Sequence, residues 1–268
     1  MAEDHMKFDK VLVPVDGSVS SEVAVDLALH SASTFNACLE FVFVIDASSF
    51  ERFGTVDSTQ ERFVSRMEGE LFLERVAKLA EKSGAKHKET LCEGIPWEIV
   101  CEKSENADMM ILAVSGKSGI RPGRIGSTAK KIIENSRCPV LTLRSGSKRI
   151  QEILLPVYDE NRPAIDVAIQ TARIVGGKIT VFSVKEKNTD PAALVEKVAA
   201  IVSDAGIGVE TLIAEGDVVD CILGKSGQFD LIVMGVDRRG GLQSILHGGV
   251  TERIVSQASC PVTVVRNK

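Results

Sequence analysis

The chain has 268 residues, 44% of them hydrophobic and 26% charged, with a net charge of −5. Those values fit two globular domains of ordinary size and give no general attraction to nucleic acid or an anionic membrane. One Trp and one Tyr stand against abundant Val, Ile, Leu and Ala, a mix that suits parallel sheets covered by helices. The six cysteines hold no CxxC pair and no zinc spacing, Met1-Ala-Glu-Asp-His5 has no signal pattern, and no apolar run approaches the ~18 residues of a membrane helix. Cytoplasmic residence with free, mostly buried thiols is the expectation.

Taken in order, Lys10–Asp16 is a short apolar run closing in turn residues. Ser18–Ser21 can cap a helix patterned through Val23, Leu27 and Ala28. Leu39–Ile45 is a second strand ending at Asp46, and residues 47–58 are polar and irregular, a surface loop or a lid. A long amphipathic helix from about Ser58 to Lys82 stops at Gly84. Lys86–Cys92 is the third strand, and Gly94-Ile95-Pro96 opens a third helix, since Pro suits a first turn. Met109–Val114 is strand four, Gly126–Ser136 helix four and Val140–Arg144 strand five. Apolar runs separated by helices predict parallel strands with right-handed crossovers.

The plan then repeats. Glu152–Tyr158 matches the opening strand at an offset of 142, Asn161 and Pro163 start a helix, and Lys178–Val184 is a strand. Asp190 and Pro191 read as N-cap and first residue of a shorter helix. From Gly216, which matches Gly94, the offset is 122, so about twenty residues are missing after strand two of the second copy. Asp108/Asp230, Gly126/Gly248, Cys138/Cys260, Pro139/Pro261 and Arg144/Arg266 coincide at that offset without a gap. The chain is a duplication, with domains expected at 1–145 and 150–268 around the polar linker Ser145–Arg149.

Suppose each sheet starts in the middle, winds outward through strands two and three, then returns to place strands four and five on the other side. A crevice then opens at the carboxyl ends of strands one and four. The loop after strand one carries Asp16-Gly17-Ser18, and the loop after strand four carries Gly116 and Gly119 and leads to Gly126-Ser127-Thr128. Free N–H groups at that helix start suit a phosphate, with hydroxyls from Ser127 and Thr128 and with Arg121 and Arg124 on the loop. The same glycines can merely make turns, with Ser127 an N-cap. Asp16 can meet a ribose hydroxyl or a metal, or simply form an Asx turn or an N-cap. Gly116-Lys117-Ser118 and Gly224-Lys225-Ser226 are not Walker motifs, because Ile111 and Val219 stand where the earlier glycine belongs. The four histidines form no triad or metal set, although His247 beside Gly248 lies near the second loop.

These residues resemble the universal stress protein family, whose members have a first strand ending Pro-x-Asp, a signature G-x2-G-x9-G-(S/T), and a closing Cys-Pro-Val strand. The resemblance covers nearly all of both copies. It implies an α/β fold of two repeated five-stranded parallel-sheet domains, strand order 3-2-1-4-5, of the adenine nucleotide alpha hydrolase-like (Rossmann-like) kind. It also implies binding of an adenine nucleotide, ATP or AMP, with Mg possible through a nucleotide-bound ion at Asp16. Copy one keeps Pro14, Val15 and Asp16, has Val44 at the second-strand position with Leu112 beside it, and shows Ala113, Gly116, Gly126 and Ser127 along the signature. Copy two departs further: Tyr158 replaces the Asp, Arg238 the second glycine and Gly249 the Ser/Thr, while Val184, Gly235, Gly248 and Val250 keep their places. Gly240 and Gly241 restore some loop freedom, and Asp237-Arg238-Arg239 reads as a phosphate contact or a solvated loop. Copy two is therefore expected to bind more weakly or to take a shorter nucleotide.

The resemblance also implies domains paired through their fifth strands, here within one chain, with a homodimer through other faces as a further possibility. Three functions compete: a nucleotide-binding regulatory or stress-response protein, a slow ATPase or phosphotransfer enzyme, and a ligand-free interaction scaffold.

Overall fold

The computed structural model describes residues 8–48, 58–115, 124–144, 149–185, 190–236 and 249–266. Among them the chain separates into two units, one within Phe8–Gly146 and one within Ser147–Lys268. The first comprises β1 (Lys10–Val15), α1 (Val19–Phe35), β2 (Cys38–Asp46), α2 (Ser58–Ser83), β3 (Lys86–Gly94), α3 (Pro96–Lys103), β4 (Met109–Ala113), α4 (Ser127–Asn135) and β5 (Val140–Leu143). The second comprises β6 (Glu152–Pro156), α5 (Arg162–Val175), β7 (Lys178–Lys185), α6 (Ala192–Asp204), β8 (Val209–Glu215), α7 (Val218–Lys225), β9 (Leu231–Val236), α8 (Val250–Gln257) and β10 (Val262–Arg266).

Within each unit the strands are parallel. Their order is β3-β2-β1-β4-β5 in the first and β8-β7-β6-β9-β10 in the second, the 3-2-1-4-5 arrangement expected. Central strands are covered on both faces, so they read as unbroken apolar runs. Leu12, Val13, Phe41, Val42 and Met110 are buried in the first unit, and Ile153, Leu154, Leu155 and Phe182 in the second. The rule of apolar runs fails at β3 and β8. Lys86–Gly94 and Val209–Glu215 are end strands of their units' sheets and hold only exposed and half-buried residues.

The repeated residues hold equivalent joints. Asp108 Oδ2 accepts the Lys10 N–H at 2.8 Å, and Asp230 Oδ2 accepts the Gln151 and Glu152 N–H groups at 2.9 and 3.0 Å. Each carboxylate thus ties the start of a first strand to the start of its fourth. The carbonyls of Pro139 and Pro261 accept the N–H groups of Met110 and Ile232 at 2.8 and 3.0 Å, so the repeated Cys-Pro-Val junction makes the same backbone joint in both units. Ser104 Oγ and Ser226 Oγ accept the N–H groups of Arg137 and Ser259 at 2.9 and 3.1 Å, a repeated joint that sequence reading did not single out. Gly94 and Gly216 match because both adopt positive φ, +154° and +135°, where the chain turns into α3 and α7.

The second helix is shorter in copy two, as expected: α2 has 26 residues against 13 in α6. Other expectations need correction. The second half of α2 is amphipathic, burying Phe72, Leu73, Val76 and Ala80, but its first turns expose Phe63, Val64, Met67 and Leu71. Residues 49–57, the core of the suggested lid, lie outside the described residues. Pro191, not Asp190, occupies the cap position of α6, while Asp190 Oδ1 accepts the Ala192 N–H at 3.1 Å. The cysteines are free, but Cys138 alone is buried; the other five are partly exposed because they sit at strand ends, on helix surfaces and at the sheet margins.

Candidate functional site

Right-handed crossovers carry the chain from β1 toward β2 on one side and from β4 toward β5 on the other. The loops after β1 and β4 therefore diverge, and a cavity of about 670 Å³ opens at the carboxyl ends of β1, β2 and β4. Pro14, Val15 and Asp16 line it from β1, Val44, Ile45 and Asp46 from β2, and Leu112 and Ala113 from β4. Arg124, Gly126, Ser127 and Thr128 close it at the start of α4. Ten predicted residues of the first unit thus share one cavity wall: Pro14, Val15, Asp16, Val44, Leu112, Ala113, Arg124, Gly126, Ser127 and Thr128. Gly116, Gly119 and Arg121 lie outside the described residues.

The start of α4 is open. Gly126 is the cap residue, with φ −61° and ψ 146°, and no side chain caps the helix among the described residues. The Gly126 N–H donates to the Val114 carbonyl at 2.9 Å, and the first intrahelical bond runs from Lys130 N–H to the Gly126 carbonyl at 2.8 Å. The N–H groups of Ser127, Thr128 and Ala129 remain as the positive end of the helix, and all three residues line the cavity. The alternative of Ser127 as a capping side chain does not occur, because Gly126 holds that place. By contrast α1 is closed: the Ser18 hydroxyl accepts the Ser21 N–H at 3.2 Å.

Asp16 forms the Asx turn and faces the cavity: its Oδ1 accepts the Ser18 N–H at 3.0 Å. Residues not anticipated add to the wall. Asp46, at the end of β2, accepts the N–H and hydroxyl of Ser48 at 3.0 and 2.6 Å, and Ser65 and Glu68 reach the cavity from α2. Ser20 and Ser115 share a 2.6 Å hydroxyl contact that ties α1 to the end of β4. Asp46 carried a readable signal, an acid just after a buried strand as at Asp16. Ser65 and Glu68 carried none. Among the described residues no three His, Cys, Asp or Glu side chains gather as a metal site.

The family model described as the universal stress protein family matches residues 7–144 and again 150–266. The chain belongs to the universal stress protein family. A universal stress protein of Methanocaldococcus jannaschii is 32% identical over 146 residues, covering 53% of this chain and 85% of that protein. One of Mycobacterium tuberculosis is 25% identical over an alignment of 290 positions, covering 96% of each chain. Among solved structures, a universal stress protein from Archaeoglobus fulgidus has the same fold, with a TM-score of 0.81, 20% identity, and coverage of 97% of this chain and 99% of its own. Among the described residues no helix is long and apolar enough to cross a membrane.

The second universal stress repeat departs from the first at this place. Val184 lies on β7, Gly235 on β9, and Gly249 and Val250 at the start of α8; Gly248 lies outside the described residues. Tyr158, at the position of Asp16, donates its hydroxyl to the Gly235 carbonyl at 3.1 Å. Asn161 caps α5 by accepting the Ala164 N–H at 3.1 Å.

Proposed function

We propose that the crevice of the first unit binds an adenine nucleotide, ATP or AMP, and that the protein serves its family's stress-response role through that ligand. The observation that carries this reading is the uncapped start of α4 facing a cavity of about 670 Å³, within the ~300–1,000 Å³ usual for small-ligand sites. The N–H groups of Ser127 and Thr128, with Gly116 and Arg124, take the phosphates, where exposed donors and the helix dipole favour an anion. Val44 and Leu112 give the base an apolar wall. Asp16 accepts a ribose hydroxyl, or a Mg ion held by the phosphates, since Mg is commonly bound by one or two carboxylates plus phosphate oxygens. The protein is purified, denatured, and its supernatant chromatographed for AMP and ATP, with thermal shifts measured on adding each. Released nucleotide or a raised melting temperature supports the reading. Neither release nor a shift with either nucleotide contradicts it.

A further inference from the structure

In the second unit two side chains, Tyr158 (40% exposed) and Asn161, meet Gly235 at the place equivalent to the first unit's crevice. Strands β6 and β9 are neighbours, as β1 and β4 are in the first unit. Tyr158 follows β6 by two positions, and its hydroxyl bonds across to the Gly235 carbonyl on β9 at 3.1 Å. Asn161, only 6% exposed, lies directly over Gly235. A Cβ on Gly235 would stand 2.3 Å from Asn161 Nδ2, 2.4 Å from its Cγ and 2.9 Å from its Cβ. The amide cannot simply swing away, because its Oδ1 is held by the Ala164 N–H.

The first unit has the opposite pair. Ala113 carries a methyl where Gly235 has none, and the cap of α1 is the short Ser18 where that of α5 is Asn161. The fourth strand of the second unit carries no methyl here, and the larger amide of the cap lies over it. The carboxylate at Asp16 is replaced by a phenol whose hydroxyl donates to the opposite strand.

We infer that Tyr158 and Asn161 form a built-in plug that closes the second crevice, so that the chain takes one nucleotide rather than two; the count rests on the reading of the first crevice, whereas the plug does not. The second unit is then a partner domain with a filled crevice, not a weaker copy of the same site.

Two measurements on the full-length protein test this. The first is a double-mutant cycle with Gly235→Ala and Asn161→Ser, followed by the melting midpoint. Gly235 lies in β9 without a left-handed φ, so the alanine suffers only the clash. Serine keeps a capping hydroxyl and removes an Nδ2 that finds no partner among the described residues. Gly235→Ala should lower the midpoint by several degrees, and Asn161→Ser should recover most of that loss. An equal loss in both backgrounds overturns the plug. The second is equilibrium dialysis with AMP and with ATP. One nucleotide per chain, absent in Gly126→Val, supports the single site; two per chain, or binding that persists in Gly126→Val, overturns it. Absence of binding by the unaltered protein overturns the nucleotide reading and with it the count, while the mutant cycle still decides the plug.

Discussion

Glu40 shows how this fold keeps a charge inside a sheet. It lies on β2 and is 4% exposed, so burial works against its charge. Hydrogen bonds from Lys103 at 3.2 Å and Thr90 at 3.0 Å, with Lys10 at 3.3 Å, outweigh that and hold its pKa below the ordinary value. A carboxylate with a lowered folded pKa contributes stability above its unfolded pKa of about 4.3 and loses it as pH falls through the folded value. Glu40→Gln should therefore flatten the fall in melting temperature below about pH 4.3; an unchanged acid limb would contradict the pairing. The thiols of Cys138 and Cys260 behave in the opposite sense: burial pushes each up to about 11, so alkylation at pH 8 should reach these two well after the partly exposed Cys38, Cys92, Cys101 and Cys221. Asp16 was legible in the sequence because an acid closing a buried strand is unusual. The closing role of Asn161 was not. As a sequence feature it is only a helix cap, and its contact with Gly235 appears once β6 and β9 lie side by side.

Among the elements, α4 gives the candidate site its open helix start. Its open N-terminus can be tested without touching the core. Gly126 already has the extended backbone that a residue before proline needs, and proline is well suited to a first helical position. Ser127→Pro should leave the melting temperature nearly unchanged while removing one N–H donor. A lost hydrogen bond to a charged group is worth about 1.5–3 kcal/mol, so nucleotide affinity should fall by at least ~10-fold, and by more than in Ser127→Ala. Equal affinity in Ser127→Pro and Ser127→Ala would remove the Ser127 N–H from the account. Sequence reading placed the central strands and the start of α4 within a residue or so, because apolar runs and glycine punctuation mark them. It served less well for α2. Phe63, Val64, Met67 and Leu71 look like a buried stripe but are exposed, and Ser65 and Glu68, which reach the cavity, have nothing to mark them.

At the scale of the whole molecule, the duplication governs the fold, and the copies differ at the candidate site. Asp108 and Asp230, Ser104 and Ser226, and Pro139 and Pro261 hold the same joints twice, which is why the repeat was visible at a constant offset. The sites diverge where those joints end: Asp16 and Ala113 leave an open crevice, whereas Tyr158 and Gly235 hydrogen-bond across the corresponding place. A ligand that binds one folded unit stabilises that unit by mass action. Hydrogen exchange in saturating ATP or AMP should therefore slow at the carboxyl ends of β1 and β4 and at the start of α4, and remain unchanged around β6 and β9; slowing in both units would contradict a single site.

The most direct test is a calorimetric titration of the unaltered protein and of Gly126→Val with ATP and with AMP. The φ of −61° and ψ of 146° at Gly126 are open to valine, so the variant should fold and lose only the space beside the first helical N–H groups. Saturable binding of at least one of the two nucleotides by the unaltered protein, reduced beyond detection in Gly126→Val, is the predicted result. No heat with either nucleotide, or equal binding by Gly126→Val, would contradict the claim that this crevice is a nucleotide site.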